Sequence, residues 1–370
     1  MTETHDVVIV GAGAAGLGCA KVLADLGIEH LVVERSEVGA SFARWPTEMR
    51  FLTPSFTSNQ FGLLDLNAIA LNTSPAYSLR REHPSGRQYA EFLTVFAERF
   101  AVPVRRGVDV VSVSPSATGG FELETSRGRL QAGFVIWAAG EFQYPRLNPF
   151  PGAELCLHNA TVRTWSALDG ASFVVIGGYE SGIDAAIQLC RLGKQVTVLD
   201  RKPAIDPESS DPSVSLSPYT LERLDRARAT GRINIVEAAD VIAVEQAKHG
   251  WTIRAADGRS WRSPTRPILA TGFEGSLSRI RQLFEWSDDG AALLTLEDES
   301  TRTPGLFVSG PQVRHGDAIF CFIYKFRQRF AVVANAIARR LGVDTSVLEV
   351  YRQRGMYLDD LSCCGERCAC

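Results

Sequence analysis

"DVVIVGAGAAGLGCAKVLADLGIEHLVVE", residues 6–34, decides the fold. The apolar run at 6–10 reads as a strand. Residues 14–27 carry apolar side chains at three- and four-residue spacing and stop at Gly27, which predicts a helix, and 30–34 is a second apolar run. Strand, helix and strand make a βαβ unit, with the glycines of "GAGAAG" where the first strand turns into the helix. Gly11 allows the tight turn, Gly13 leaves room for a pyrophosphate, and Gly16 lets helix and strand approach. The helix N-terminus adds partial positive charge. Glu34 ends the second strand with a carboxylate suited to ribose hydroxyls, so the stretch predicts a dinucleotide site.

The same pattern returns in "SFVVIGG" (172–178), "SGIDAAIQLCRLG" (181–193) and "QVTVLDR" (195–201). Two βαβ units imply two dinucleotides and a protein that moves electrons between them. In "GGYESG" the second turn has Gly177, Gly178, Ser181 and Gly182, but Tyr179 stands in the place of the middle glycine. The unit is therefore either a nicotinamide dinucleotide site or a degenerate copy kept for structure. Arg201 and Lys202 would hold a 2′-phosphate and favour NADPH, which is the expectation; Asp200 would suit the free 2′-hydroxyl of NADH.

The rest of the chain predicts a helix at 86–100, hairpin strands at 108–136, turns at 140–170, a polar loop at 206–218, strands at 233–270 and a helix at 324–342. Its 370 residues, 45% hydrophobic and 22% charged, describe a globular protein with a sizeable core. A net charge of -3 and the lack of a basic run argue against nucleic acid. No apolar stretch approaches the roughly 18 residues that cross a bilayer, and the N-terminus lacks the basic start of a signal peptide. The expected location is cytoplasmic, where thiols stay reduced and clustered cysteines point to redox or metal chemistry.

Of eight cysteines, Cys19, Cys156, Cys190 and Cys321 are scattered, while Cys363, Cys364, Cys368 and Cys370 crowd into "CCGERCAC". Cys19 and Cys190 fall on the helices of the two βαβ units and are expected as small buried apolar groups. The terminal cluster is the candidate catalytic thiol set. Soft-metal binding and a tail without a role stay open, but the spacing is no standard zinc pattern and no metal site is assigned.

The motif order, GxGxxG, "VIWAAGEFQYP" (135–145), "GGYESG", "ILATGF" (268–273) and "TPGLFVSG" (303–310), resembles that of flavoproteins with two dinucleotide-binding domains, over about residues 5–340. The resemblance implies an α/β fold with two Rossmann-like domains, the NAD(P)-binding one inserted into the FAD-binding one. The expected boundaries are 1–149 and 269–342 for FAD, 150–268 for NAD(P)H and 343–370 for a C-terminal extension. It also implies that "AAG" and "ATG" join the domains and that an acid after Gly310 reaches the flavin ribityl chain, for which Asp317 is the candidate.

Two branches fit. "GASFARWPTEMRFLTPSF" (39–56) is similar to bacillithiol disulfide reductases and their relatives, which implies that Arg44 and Trp45 lie near the flavin. Where those relatives carry a cysteine in the first glycine loop, this chain has Ala14 and Ala15. "AAGEFQYP" resembles flavin-containing and Baeyer–Villiger monooxygenases, parts of whose signature recur at other spacing as Phe150, Gly152, His158 and Trp165. His315 with Asp317 would either position flavin or substrate or form an ordinary loop pair.

The expected function is FAD-dependent NAD(P)H oxidation, with electrons passed through the cysteine tail to a small-molecule or protein thiol, disulfide or thiol-bound acceptor. A flavin-dependent monooxygenase and a flavin-bound redox sensor or metal-binding protein are the alternatives, and a homodimer is left open.

Overall fold

The computed structural model describes residues 3–57, 64–202 and 211–362. Cys363, Cys364, Cys368 and Cys370 lie outside them. The described residues form two compact units: one holds 3–43, 53–57, 64–143 and 275–362, the other 44–52, 144–202 and 211–274.

In the first unit β1 (Glu3–Val10), α1 (Ala14–Asp25) and β2 (His30–Glu34) form the expected βαβ. Val7–Val10 and all of β2 are buried, as a parallel strand covered on both faces requires of a continuous apolar run. A helix α2 (Gly86–Arg99) follows, started by a capping box between Ser85 and Gln88. The strands β3 (Val104–Arg106), β4 (Val110–Pro115), β5 (Phe121–Thr125) and β6 (Gly128–Trp137) complete the order β3-β2-β1-β6-β5-β4. The pairs β3-β2, β2-β1 and β1-β6 are parallel, and β6-β5 and β5-β4 antiparallel.

The second unit is built around β7 (Leu157–His158), β8 (Ser172–Ile176), α3 (Glu180–Arg191), β9 (Gln195–Leu199), α4 (Pro218–Arg228) and β10 (Ile233–Val236). An antiparallel sheet of β11 (Val241–Ala247), β12 (Gly250–Ala255) and β13 (Ser260–Ser263) precedes β14 (Ile268–Leu269). The main sheet runs β10-β9-β8-β14-β7, all parallel. One apolar cluster gathers Trp165, Ile183, Ile187, Val196 and Leu224; another gathers Val174, Ile176, Val244 and Ile253. Arg44–Leu52 joins this unit through Thr47 N, which donates to Arg163 O at 2.9 Å, and Glu48 Oε2, which accepts from Trp165 N at 3.2 Å.

The chain then returns to the first sheet with β15 (Leu306–Val308), parallel to the C-terminal part of β6. A hairpin of β16 (Arg314–His315) and β17 (Ala318–Ile319) follows. The long helix expected at 324–342 is broken: Ile323–Phe326, a 3-10 turn Arg327–Arg329, then α5 (Phe330–Leu341). The break falls on two buried arginines. Arg327 donates to Asp65 O and Ala68 O, and Arg329 to Asp298, Leu296 O and Leu358 O. The apolar spacing continues through this turn, so periodicity alone gives no sign of it. α5 lies on α1 at Gly18, where a Cβ would stand 2.0 Å from the Phe330 ring. No helix among the described residues is long and apolar enough to cross a membrane.

Candidate functional site

Gly11 has φ +108°, and a Cβ there would stand 2.6 Å from Ala138 O. A Cβ on Gly16 would stand 1.9 Å from Gly11 O, so close approach excludes a side chain. Gly13 differs, since among the described residues no atom beyond its own chain neighbours lies within 4 Å of where its Cβ would be. Glu34 is buried, and its carboxylate accepts from Ala12 N at 2.9 Å and Ser36 N at 2.7 Å. Each carboxylate oxygen has a second lone-pair site for a further donor. Gly310 comes to the same place, 3.2 Å from Ala15 Cβ by its absent Cβ, and Ser309 N donates to Trp137 O at 3.0 Å. Gly11–Gly16, Ala138–Gly140 and Gly310 thus meet at the C-terminal ends of β1, β6 and β15, the edge where open α/β sheets take ligands.

Glu141 stands beside this edge, partly buried, and burial pushes its carboxyl up to about 7. The loop is held by Gln143, which accepts from Arg35 Nη2 at 2.7 Å and donates to Ser41 Oγ at 2.9 Å. The signal for Glu141 in "AAGEFQYP" is a carboxyl placed directly after the turn glycine of a buried strand.

The second turn repeats the first. Gly177 has φ +107°, its Cβ would stand 2.3 Å from Ala270 O, and a Cβ on Gly182 would stand 1.9 Å from Gly177 O. Tyr179 has φ -92° and ψ -172°, close to the φ -87° and ψ -168° of Gly13. Its side chain turns away, and the hydroxyl lies 2.6 Å from Pro212 O and 3.2 Å from Ser215 O. Glu180 braces the same strap, accepting from Ser217 N at 2.5 Å and Thr220 Oγ1 at 2.6 Å. Burial raises the Glu180 carboxyl, partly offset by those bonds and by Arg223. Arg223 in turn pairs with buried Asp184 at 2.6 Å. Ser181 sits half-buried in the first turn of α3.

Asp200 follows β9, buried, with Lys202 N donating to it at 3.4 Å. A Cβ on Gly178 would stand 2.4 Å from the Asp200 carboxyl carbon. Arg201 and Lys202 are exposed. Thr271 N would lie 3.6 Å from a Gly177 Cβ, and buried Thr271 Oγ1 has no hydrogen-bond partner among the described residues.

Arg44 and Trp45 belong to the second unit, where Arg44 O accepts from Arg163 at 3.2 Å and the Trp45 ring lies 5.0 Å from Phe51. Asp317 is exposed in the turn of the β16–β17 hairpin. A pairing of His315 with Asp317 is corrected: His315 Nε2 meets Asp298 Oδ1 at 2.6 Å, because fully buried Asp298 gathers both His315 and Arg329. Of the monooxygenase-like residues, His158 is tied to Gly272 O at 3.2 Å and Trp165 is fully buried. Cys19 and Cys190 are buried, as their helix positions predict. Burial pushes Cys19 and Cys156 up to about 12, so neither thiol ionises readily, while Cys321 is half-buried.

Residues 8–310 match the pyridine nucleotide-disulphide oxidoreductases. The chain belongs to that family. As a member, this oxidoreductase depends on FAD and NAD(P)H. It is similar to bacilliredoxin reductase Bdr of Bacillus subtilis (strain 168), 24% identical over 90% of this chain and 97% of that protein. Among solved structures, bacillithiol disulfide reductase Bdr (YpdA) from Staphylococcus aureus superposes with a TM-score of 0.74, 20% identity and coverage of 92% of this chain and 99% of that one. A flavin-containing monooxygenase from Stenotrophomonas maltophilia superposes with 0.71 at 18% identity, covering 92% and 100%. At these identities the two structures speak for the fold alone.

Proposed function

We propose that the first glycine turn holds the adenosine diphosphate half of FAD, that the second holds the nicotinamide dinucleotide, and that the electrons leave to a thiol, disulfide or thiol-bound acceptor. The observation that carries the FAD assignment is the empty space at Gly13, flanked by a helix N-terminus and by Glu34 with lone pairs to spare. Gly11 and Gly16 shape that turn, Glu34 accepts ribose hydroxyls, and Gly310 closes on the start of α1. Gly177, Gly178, Ser181 and Gly182 play the same part in the second turn, and the unmet Thr271 hydroxyl is a polar group available to its ligand.

When bound, the flavin supplies the electron-transfer chemistry. The chain's contribution is to bind, orient and shield its cofactors.

For the acceptor, support comes from the likeness to bacilliredoxin reductase over nearly its whole length. Among the described cysteines, Cys19, Cys156, Cys190 and Cys321, no two stand at CxxC or CxxxxC spacing. A dithiol carrier is therefore assigned to Cys363, Cys364, Cys368 and Cys370 by elimination. The test is truncation after Leu361. The shortened protein should keep its flavin and its reduction by NAD(P)H while losing transfer to a panel of disulfides. Unchanged disulfide reduction would remove the tail from the mechanism, and oxygen-dependent turnover of an organic substrate without the tail would turn the reading toward a monooxygenase.

A further inference from the structure

We propose that Glu141 is a contact residue of the flavin cofactor, its carboxyl donating a hydrogen bond to an acceptor atom of bound FAD; this rests on the reading that the first glycine turn holds FAD.

Glu141 follows β6 at the edge where that turn opens. Ala138 O would lie 2.6 Å, and Ala139 Cα 3.0 Å, from a Cβ on Gly11, so the strand end and the turn touch just before Glu141. The chain around it is pinned on both sides. Ahead of it, Gly140 O accepts from Ser276 N at 2.9 Å, and Ser276 Oγ accepts from Trp137 Nε1 at 3.0 Å and donates to Gln312 Oε1 at 3.1 Å. Beyond it, Gln143 accepts from Arg35 Nη2 at 2.7 Å and donates to Ser41 Oγ at 2.9 Å. The ties run to the segment after β2 and the segment after β15, the two stretches that border the cradle.

A glutamate on a free loop turns into water. Glu141 is held partly buried, yet its carboxyl has no hydrogen bond or ion pair among the described residues, whereas Trp137, Gln143, Ser276 and Gln312 beside it are all paired. The segments packed on this loop bring it no counter-charge. Arg35 is turned to Gln143, Glu34 accepts from Ala12 N and Ser36 N, and Gly275–Leu277 and Gln312 are uncharged. Burial without a compensating cation pushes the carboxyl up to about 7. Leaving such a group desolvated and unpaired costs free energy, which a ligand with a hydrogen-bond acceptor removes. FAD carries acceptors along its whole length, on its phosphates, ribityl chain and ring. A protonated carboxyl donates to them, and an ionised one, having acceptors only, does not.

The test follows FAD release from the flavin-loaded full chain, diluted stepwise into buffers from about pH 6 to about pH 8.5 and read by the fluorescence of the freed flavin. The wild-type dissociation constant should rise about tenfold over this range, because the proton that the contact needs is lost. Glu141→Gln keeps a donor at the same reach and should hold FAD without a slope against pH. Glu141→Ala should bind about three- to tenfold more weakly at the acid end, the range of one neutral hydrogen bond. The absorption spectrum of the bound flavin should shift with pH in the wild type and not in Glu141→Gln. A wild-type dissociation constant and spectrum that stay level across the range, which requires no variant to fold, overturn the contact alone, as does a Glu141→Gln slope equal to that of the wild type. A protein that carries no flavin overturns the first-turn reading and the contact with it.

Discussion

Gly13 and Tyr179 occupy the same backbone position in two copies of one turn, yet the space beside Gly13 is empty and the ring of Tyr179 is tied to carbonyls of a strap at 212–215. The middle glycine of such a turn is thus kept for space and not for backbone freedom, since tyrosine adopts the same φ and ψ. The second turn can carry a side chain because Pro212 O and Ser215 O accept its hydroxyl. The first copy is the open cradle, and the second is a cradle with one wall braced from outside.

The largest change expected comes from a ring placed in the first turn. Gly13→Phe should fold, because among the described residues nothing but its own chain neighbours stands within 4 Å of the new Cβ, but should lose its flavin completely on gel filtration. A folded Gly13→Phe protein that stays yellow would show that the first turn is not the FAD site.

A smaller effect separates the edge of the first sheet from the braced second turn by pH. Burial pushes the Glu141 carboxyl up to about 7 in the folded protein, from an ordinary value of 4.5. Below about 4.5 the group is protonated in both states and costs nothing; as pH rises toward 7 the unfolded chain ionises first, and stability falls by up to about 3 kcal/mol. Glu141→Gln should flatten this loss in thermal melts between pH 4.5 and 7.5. An unchanged pH profile would mean that Glu141 is solvated as an ordinary surface acid.

The smallest expected effect sharpens the second turn. Tyr179→Phe removes the hydroxyl from Pro212 O and Ser215 O and should cost about 1 kcal/mol in urea unfolding. It should also raise the KM for the nicotinamide nucleotide more than it lowers kcat, since the strap then loses an anchor beside the turn. Equal changes in both parameters would mean that the strap does more than position the nucleotide.

Both βαβ units were legible in the sequence because each joins apolar strands to a glycine turn and an amphipathic helix, three local signals that agree. The return of the chain to the first sheet at Leu306–Val308 was legible from motif order. What escaped depends on long-range pairing. The break at Arg327–Arg329 follows from partners as distant in sequence as Asp65 and Leu358, and the grouping of Arg44–Leu52 with the second unit rests on contacts with Arg163 and Trp165. The true partner of His315 was hidden for the same reason, because Asp298 reaches it through the fold and not through the hairpin. In the second turn, Asp200, Arg201 and Lys202 were all visible, but only the Cβ position of Gly178 distinguishes the carboxylate that lies against the turn from the two cations that face water.

In the proposed function the first turn holds the flavin and the second binds the nicotinamide nucleotide that reduces it. Anaerobic titration of the purified protein with NADH, followed by flavin absorbance, tests it most directly. One flavin per chain should bleach with the oxidation of one nucleotide per flavin, and its colour should return when a disulfide is added without oxygen. A colourless protein, or a flavin that neither NADH nor NADPH bleaches, would contradict it.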